Sequence, residues 1–262
     1  MHVSRFVFVA AIPATAWAHS ATGTLLAVAP EIATALLLVA AWLAYLAGSR
    51  HVRPSAARAA QFHVAGVLAA MSAFGPFDAW ARQGAALHMV QHMLLVVVIA
   101  PLAILARPLP QWRAALGGRG GWAWLARAVR GPLALALVHG GTLWFWHAPA
   151  PYALALHDPF WHAIEHVLFL VTAALFWSAV LYAGSSSRGQ AMLALLLTVI
   201  HTGLLGALLT FARVPLYSDA QDLADQQLAG LIMWVPASVV YVLAAVYCAR
   251  RWLRGDAPRA TV

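Results

Sequence analysis

The sequence predicts an all-α integral membrane protein, a bundle of seven transmembrane helices with its N-terminus outside and its C-terminus in the cytoplasm. The 262 residues are 63% hydrophobic and only 9% charged, far more apolar than a soluble domain of this length. Apolar runs of about 20 residues, long enough to span a bilayer as helix, recur along the chain. The arginines are concentrated in alternate loops, as the positive-inside rule requires.

Residues 1–18 have the pattern of a secretory signal peptide. Arg5 supplies the positive start, an apolar stretch follows, and Ala16-Trp17-Ala18 provides the small residues of a cleavage site. Cleavage there leaves His19 as the new N-terminal residue, where its imidazole and the free α-amine form a candidate copper ligand. A short uncleaved N-terminal helix is the alternative interpretation.

Residues 19–254 are predicted to form the transmembrane domain, and residues 255–262 a cytoplasmic tail. Seven apolar runs separated by short polar loops each predict one helix. Helices are required because backbone groups cannot stay unpaired in lipid. The seven segments are Leu25–Ala47, Ala59–Gly75, Ala85–Ala106, Trp124–Trp146, Trp161–Tyr182, Gln190–Phe211 and Gln226–Arg250.

The distribution of charge gives the orientation and excludes two classes of protein. Thirteen of the sixteen arginines lie in the first, third and fifth loops and in the tail, so that side is assigned to the cytoplasm. The net charge of +8 does not indicate a nucleic-acid partner, because the basic residues stand in short loops between spans. The chain has no lysine, which excludes a retinal protein with a Schiff base.

Two short motifs near the outer ends of the third and fifth predicted helices are the strongest functional signal. Each places two histidines four residues apart, on one helical face, and the first adds two methionines at the same spacing. Buried imidazoles need partners, and a metal ion satisfies several of them at once. Histidine and methionine without a thiolate form a ligand set that suits copper, Cu(I) in particular. The motifs are His88-Met89-Val90-Gln91-His92-Met93 and His162-Ala163-Ile164-Glu165-His166.

Other polar residues of the outer half extend this candidate site. Intramembrane polar groups usually face the bundle interior, so we predict three further ligands: His139, His201 and Met233. A polar lip, or acceptors that orient the imidazoles, is predicted from Gln91, Glu165, Asp78, Asp222, Asp225 and Gln226. Structural alternatives stay open for all of them, since such residues also serve as interhelical hydrogen bonds, core fillers, interfacial acids and helix caps.

Three segments, in this order along the chain, resemble the multi-span CtaG-type cytochrome c oxidase assembly factors. The resemblance implies a role in maturing a haem–copper oxidase, with copper delivered on the outer face and oxidase subunits as partners. A Met/His-rich outer tail, expected of a copper collector, is nearly absent from this chain. The segments that carry the resemblance are Met89–Leu94 with Ala100–Leu102, Trp161–His166 through Trp177, and Asp225–Pro236, together with the loop Phe74–Asp78.

The leading hypothesis is therefore a copper-binding assembly factor of the bacterial plasma membrane that is not an enzyme. No Ser-His-Asp set is visible, and the carboxylates are predicted to lie at the lip. A haem-binding redox protein is the first alternative, with paired axial ligands from His92 and His166, or from His139 and His201. A transporter for copper or another small solute is the second, although the predicted site is shallow and no internal repeat is visible. The oligomeric state is left open.

Overall fold

The computed structural model describes residues 25–117, 131–217 and 222–254, with side chains from residue 29 onward. These residues form helices and connecting turns without a β-strand, which confirms the all-α class. The predicted signal peptide, His19, residues 124–130 of the predicted fourth helix and the C-terminal tail lie outside the described residues.

The described residues contain eleven α-helices, which are numbered here in chain order. A π-helical segment, Leu94–Ile99, connects α4 to α5, and a 3₁₀ turn, Ser185–Ser187, precedes α10. The helices are α1 (Leu25–Ser49), α2 (Ala56–Phe74), α3 (Pro76–Ala81), α4 (Ala85–Met93), α5 (Ala100–Ala106), α6 (Leu109–Leu116), α7 (Pro132–Trp146), α8 (Pro149–His157), α9 (Pro159–Leu181), α10 (Arg188–Thr210) and α11 (Leu223–Leu253).

Five stretches of the described chain are long and apolar enough to cross a membrane. The second predicted segment is a helix, α2, but Arg58, Gln61 and His63 lower its hydropathy, and it is not among the five. The fourth predicted segment is described only from Pro132 onward. Seven spans and their orientation therefore stay predictions. The five stretches are Ala29–Ser49, Ala85–Ala106, Pro159–Leu181, Ser185–Thr210 and Leu223–Leu253.

Polar caps and prolines determine where several helices begin. Asp158 accepts a hydrogen bond from the backbone N–H of Phe160 at the start of α9, at 2.8 Å. Asp222 does the same for Asp225 at the start of α11, at 2.7 Å, so of the roles left open for Asp222 it serves as a helix cap. Proline stands in the first turn of α3, α7, α8 and α9, where its missing N–H leaves no helical bond unmade.

The span Ala85–Ala106 is central in the bundle, and α1 is peripheral. In the most apolar window of Ala85–Ala106, 61% of the residues are buried, against 11% in Ala29–Ser49. The apolar side chains of α1 are largely exposed, as expected for a helix that faces lipid. The N-terminal ends of α4, α9 and α11 meet the C-terminal ends of α2, α7 and α10 at one end of the bundle. We call this the histidine end; it is the side that the sequence predicts to lie outside.

The central span is interrupted by the π-helical segment. The wider π turn begins just after the histidine motif of α4, and the backbone carbonyl of Val96 within it accepts a hydrogen bond from Trp177 Nε1 of α9 at 2.8 Å. π-helical turns are frequent at functional sites because they change the direction in which neighbouring side chains point. The segment thus ties α4 to α9 one turn below the histidine motif of α4.

Two glycines, Gly206 and Gly230, let α10 and α11 cross at close range. A Cβ added at Gly230 would lie 2.5 Å from the carbonyl oxygen of Gly206 and 2.6 Å from the backbone nitrogen of Thr210. Backbones approach this closely in membrane proteins only where side chains are absent or small.

We predict that Gly230→Ala destabilises the protein, because the added methyl group must push the two helices apart. Overpacking of this kind costs about 1–3 kcal/mol. Gly141→Ala in α7 is the matched control, since a Cβ there meets no atom within 4 Å. Thermal unfolding in detergent, followed by circular dichroism, should show a lower midpoint for Gly230→Ala alone. Equal midpoints for the two variants would contradict the close crossing.

Candidate metal centre

Four histidines and one glutamate from α4 and α9 form a compact group at the histidine end. In each helix the two imidazoles lie on one face, as their spacing predicts. Their ring centroids are 4.3 Å apart in α4 and 4.1 Å apart in α9. Across the helices, His88 lies 5.3 Å from His162, and His92 lies 5.3 Å from His166. We call the group the histidine cluster; its members are His88, His92, His162, Glu165 and His166.

The cluster brings several buried and unpartnered polar atoms to one point. One ligand atom from each member lies within 4.8 Å of all the others. His92 is 2% exposed and Glu165 is 1% exposed. Both ring nitrogens of His92 and both carboxylate oxygens of Glu165 lack a hydrogen-bond partner among the described residues. Because an unpartnered polar atom in an apolar interior is costly, their convergence fits a bound cation.

Glu165 lies inside the cluster, which corrects the prediction of a carboxylate at the lip. Its Oε2 is 3.7 Å from His92 Nε2, across the contact between the two helices. The residue follows His162 by three positions, so helical geometry places it beside His162 on the surface of α9. A carboxylate here would offset the positive charge of an ion held by neutral imidazoles.

Gln91 follows His88 by three positions in α4, as Glu165 follows His162 in α9, but its side chain makes a different contact. The side chain is fully buried, and its Nε2 donates to the backbone carbonyl of Ser72 at 2.6 Å. This hydrogen bond connects α4 to the C-terminal part of α2. Gln91 therefore sets the rotation of the helix that carries the first histidine pair.

Asp225, at the start of α11, holds the N-terminus of α4. Its two carboxylate oxygens accept from the backbone N–H groups of Ala85, at 2.5 Å, and Ala86, at 3.2 Å. The first N–H groups of a helix have no partner within the helix, and a negative charge there also favours the helix dipole. A residue of the last helix thus fixes the position from which His88 and His92 project.

The other two polar residues predicted at this lip support the backbone around it. Asp222 caps its own helix, as described above. Gln226 is fully buried, and its Oε1 accepts from the backbone N–H of Leu216 at 2.8 Å. This contact ties the chain that follows α10 to α11. Neither side chain belongs to the histidine cluster.

A cavity of about 350 Å³ lies beside the cluster and reaches charged residues on α1 and α3. Asp78 of α3 forms an ion pair at 2.5 Å with Arg82, the residue that follows this helix, and the Arg82 side chain is 70% exposed, which places the pair at the cavity mouth. Glu31 of α1 also lines the cavity. Asp78 thus has the position expected of a lip residue. The cluster residues that line the cavity are His88, His162 and His166.

Two histidines predicted as ligands of the same site lie apart from it. His139 of α7 and His201 of α10 are not members of the group whose ligand atoms converge. His139 contacts Thr172 of α9 instead, at 2.9 Å. The separation arises because both residues lie about two turns or more further into the membrane than the histidine motifs.

The methionines predicted as ligands, Met89, Met93 and Met233, belong to the main apolar core. Met93 follows His92 by one position and His88 by five, so it is rotated away from both imidazoles around α4. The converging group consists of imidazoles and one carboxylate, and thioether ligation by the methionines stays a prediction. Imidazoles with one carboxylate accommodate copper in either oxidation state, as well as zinc.

Sequence reasoning left His147 out of the candidate ligands, although it borders the cluster. This residue directly follows α7 and is 6% exposed, and its ring centroid lies 6.1 Å from that of His92. Its Nδ1 contacts the carbonyl of Leu143 at 2.7 Å, and the Tyr217 hydroxyl donates to its carbonyl at 2.9 Å. The depth of His147 could have identified it from the sequence. It stands where a predicted helix leaves the membrane, near the depth of the two histidine motifs.

A comparison with known families gives one match. The family model described as cytochrome c oxidase caa3 assembly factor (Caa3_CtaG) matches residues 43–255, which include the whole histidine cluster. Searches of curated proteins and of solved structures gave no significant match.

We predict that Asp225→Ala loosens the first turn of α4, because two N–H groups lose their acceptor. Loss of a cap costs about 1–2 kcal/mol of stability. Hydrogen exchange measured by mass spectrometry should become faster for the amides of residues 85–88. Asp158→Ala is the control, since it removes the cap of α9 and leaves the hydrogen bonds of Asp225 in place, so the α4 peptide should stay unchanged. Equal exchange of that peptide in wild type and Asp225→Ala would contradict the assignment.

Proposed function

The chain belongs to the cytochrome c oxidase caa3 assembly factor family, and on this premise we propose that it binds copper in the histidine cluster and delivers it to a haem–copper oxidase. The protein acts at the outer face of the bacterial plasma membrane and catalyses no reaction. Its partners are the oxidase subunits that receive the ion. The family membership and the membrane helices support a role in cytochrome c oxidase assembly. The histidine cluster supports copper as the cargo.

One observation carries the proposal: five ligand atoms from two helices converge within 4.8 Å, and most polar side-chain atoms of these five residues have no hydrogen-bond partner among the described residues. An arrangement of this kind costs stability unless a cation occupies it. With four neutral imidazoles and one carboxylate, a bound monovalent ion gives the site no net charge. A bound divalent ion gives the site a net charge of +1. The site thereby lowers the cost of holding copper in the membrane.

The surroundings of the cluster support release as well as binding. His162 and His166 are half-buried and line the cavity, whereas His92 is buried on the far side. An ion leaving the cluster would pass through the cavity towards Glu31 and Asp78, whose carboxylates favour a cation. Imidazole ligands exchange readily compared with thiolates, which suits a donor that must give up its ion.

The geometry favours a single ion over haem. His92 and His166 were the leading candidates for paired axial ligands, and their ring centroids are 5.3 Å apart. The ring of His88 stands 4.3 Å from His92 and 6.4 Å from His166. A porphyrin between the two axial rings would have to occupy the space that His88 and its neighbours fill.

We predict that His88→Ala/His92→Ala and His162→Ala/His166→Ala each lose one copper equivalent relative to wild type after anaerobic loading, as measured by mass spectrometry of the metal. Glu165→Gln should retain the ion more weakly, because the compensating charge is removed. His63→Ala is the control: this half-buried residue of α2 packs against Trp42, away from the cluster. Wild-type copper content in either double variant would contradict the proposal, as would an equal loss in His63→Ala.

The delivery step has its own prediction. In cells that carry only His162→Ala/His166→Ala, the haem–copper oxidase should retain haem but contain less copper, because the donor is empty. Metal and haem contents of the purified oxidase measure this. Normal copper with reduced haem would instead favour the haem-binding alternative.

A further inference from the structure

The four imidazoles of the histidine cluster stand at the corners of a rectangle. The two sides that run along α4 and α9 measure 4.3 Å and 4.1 Å between ring centroids, and the two sides that cross between the helices measure 5.3 Å each. The diagonal from His88 to His166 is longer than any side, at 6.4 Å. Folding the rectangle along this diagonal would bring His92 and His162 together, but the described residues include no ring contact between these two. The four corners therefore lie near one plane.

The ligand atoms of this rectangle are close enough to share one ion. The Nε2 atom of each of the four histidines is buried and has no hydrogen-bond partner among the described residues. One ligand atom from each cluster member lies within 4.8 Å of all the others. Ligands on opposite sides of an ion lie about 4 Å apart, because each bond is about 2 Å long. A small contraction thus brings the group to coordination distance.

The spacing of the rings distinguishes two coordination geometries. An ion that lies about 2 Å from a nitrogen lies about 3 Å from the ring centre, so rings on opposite sides of the ion are about 6 Å apart and neighbouring rings about 4–5 Å. In a tetrahedron every pair of rings is instead about 5 Å apart. The sides and the 6.4 Å diagonal fit the square arrangement, since no pair in a tetrahedron is that far apart.

We propose that the histidine cluster binds its copper as Cu(II), in a square-based site with four imidazoles in one plane and Glu165 as the fifth donor. Tetragonal sites of nitrogen and oxygen ligands are typical of Cu(II) and Ni(II), and Cu(II) binds such ligands more tightly. Cu(I) favours fewer ligands or a tetrahedron. This inference rests on the proposed function and assigns the oxidation state of the cargo, for which the residue types alone favoured Cu(I).

The chemistry of the donors supports the same assignment. The Glu165 carboxylate, whose Oε2 lies 3.7 Å from His92 Nε2, is a hard oxygen donor of the kind that suits a divalent ion. The soft thioethers of Met89 and Met93, which would favour Cu(I), belong to the apolar core. The single positive charge that remains with Cu(II) adjoins the cavity, which Glu31 and Asp78 line.

The test is titration of the full chain in detergent with Cu(II) sulfate, followed by electron paramagnetic resonance. We expect one equivalent with a tetragonal spectrum and hyperfine coupling to four nitrogens, and coupling to three nitrogens in His88→Ala. His147→Ala is the control, because this residue borders the cluster without belonging to it and its loss should leave four nitrogens. Fewer than four nitrogens in wild type, or a nitrogen lost in His147→Ala, would overturn the proposal.

The reduction potential of the bound copper tests the oxidation state in a second way. A site that binds Cu(II) more tightly than Cu(I) lowers the potential below that of the aqueous couple. Glu165→Gln should raise the potential relative to wild type, because the lost negative charge favours Cu(II) more than Cu(I). Asp222→Asn removes the same charge outside the cluster, keeps a helix cap and should leave the potential unchanged. A wild-type potential above the aqueous couple would overturn the proposal.

The outcomes separate this inference from the proposed function. If the two double-histidine variants bind as much copper as wild type, both fail. If copper is bound in the cluster only as Cu(I), the proposed function stands and the square Cu(II) site is rejected. If four nitrogens bind Cu(II) but the oxidase keeps its copper in cells with His162→Ala/His166→Ala, the Cu(II) site stands and delivery fails.

Discussion

The central physical constraint on this protein is the removal of polar ligand atoms from water at the contact between α4 and α9. The four imidazoles and the Glu165 carboxylate of the histidine cluster lie among apolar side chains, and most of their polar atoms have no partner in the described part of the chain. Without a cation, this contact would cost stability that the apolar core has to supply. A site of this kind has to be positioned by its neighbours, because the ligand groups themselves do not attract one another.

Three contacts from three different helices supply that positioning, and all of them act on the central span. Asp225 of α11 satisfies the first N–H groups of α4, and Gln91 reaches back to α2. Below the motif, Trp177 of α9 bonds to Val96 in the π-helical segment. Together they fix the height, the rotation and the lower end of the helix that carries the first histidine pair. The cluster is therefore a property of the whole bundle and not of either motif alone.

The burial of the cluster is graded, and this grading bears on how an ion could be exchanged. His92 and Glu165 are enclosed, whereas His162 and His166 line a cavity whose mouth carries the Asp78–Arg82 ion pair. A donor of metal ions has to bind firmly and still release its cargo. Enclosure on one side with an open cavity on the other meets both needs, because ligands can be replaced in turn from the cavity side.

The sequence by itself determined the properties that depend on local geometry. Apolar runs predicted helices because lipid leaves the backbone no other partner, and a four-residue spacing placed each histidine pair on one helical face. The cap that Asp222 provides for its own helix is equally local. Five spans of the described chain meet the criteria of length and hydropathy, so the predicted count of seven goes beyond what the structure establishes.

Only the tertiary structure decided which helical faces meet. Periodicity within a segment says nothing about its rotation relative to another segment, and that rotation results from the packing of all the helices together. For this reason Glu165 lies inside the cluster, Asp225 caps α4, and Met89 and Met93 pack in the core. His139 and His201 lie apart from the cluster. Their depth could be read from the sequence, but the contact of His139 with Thr172 on another helix could not.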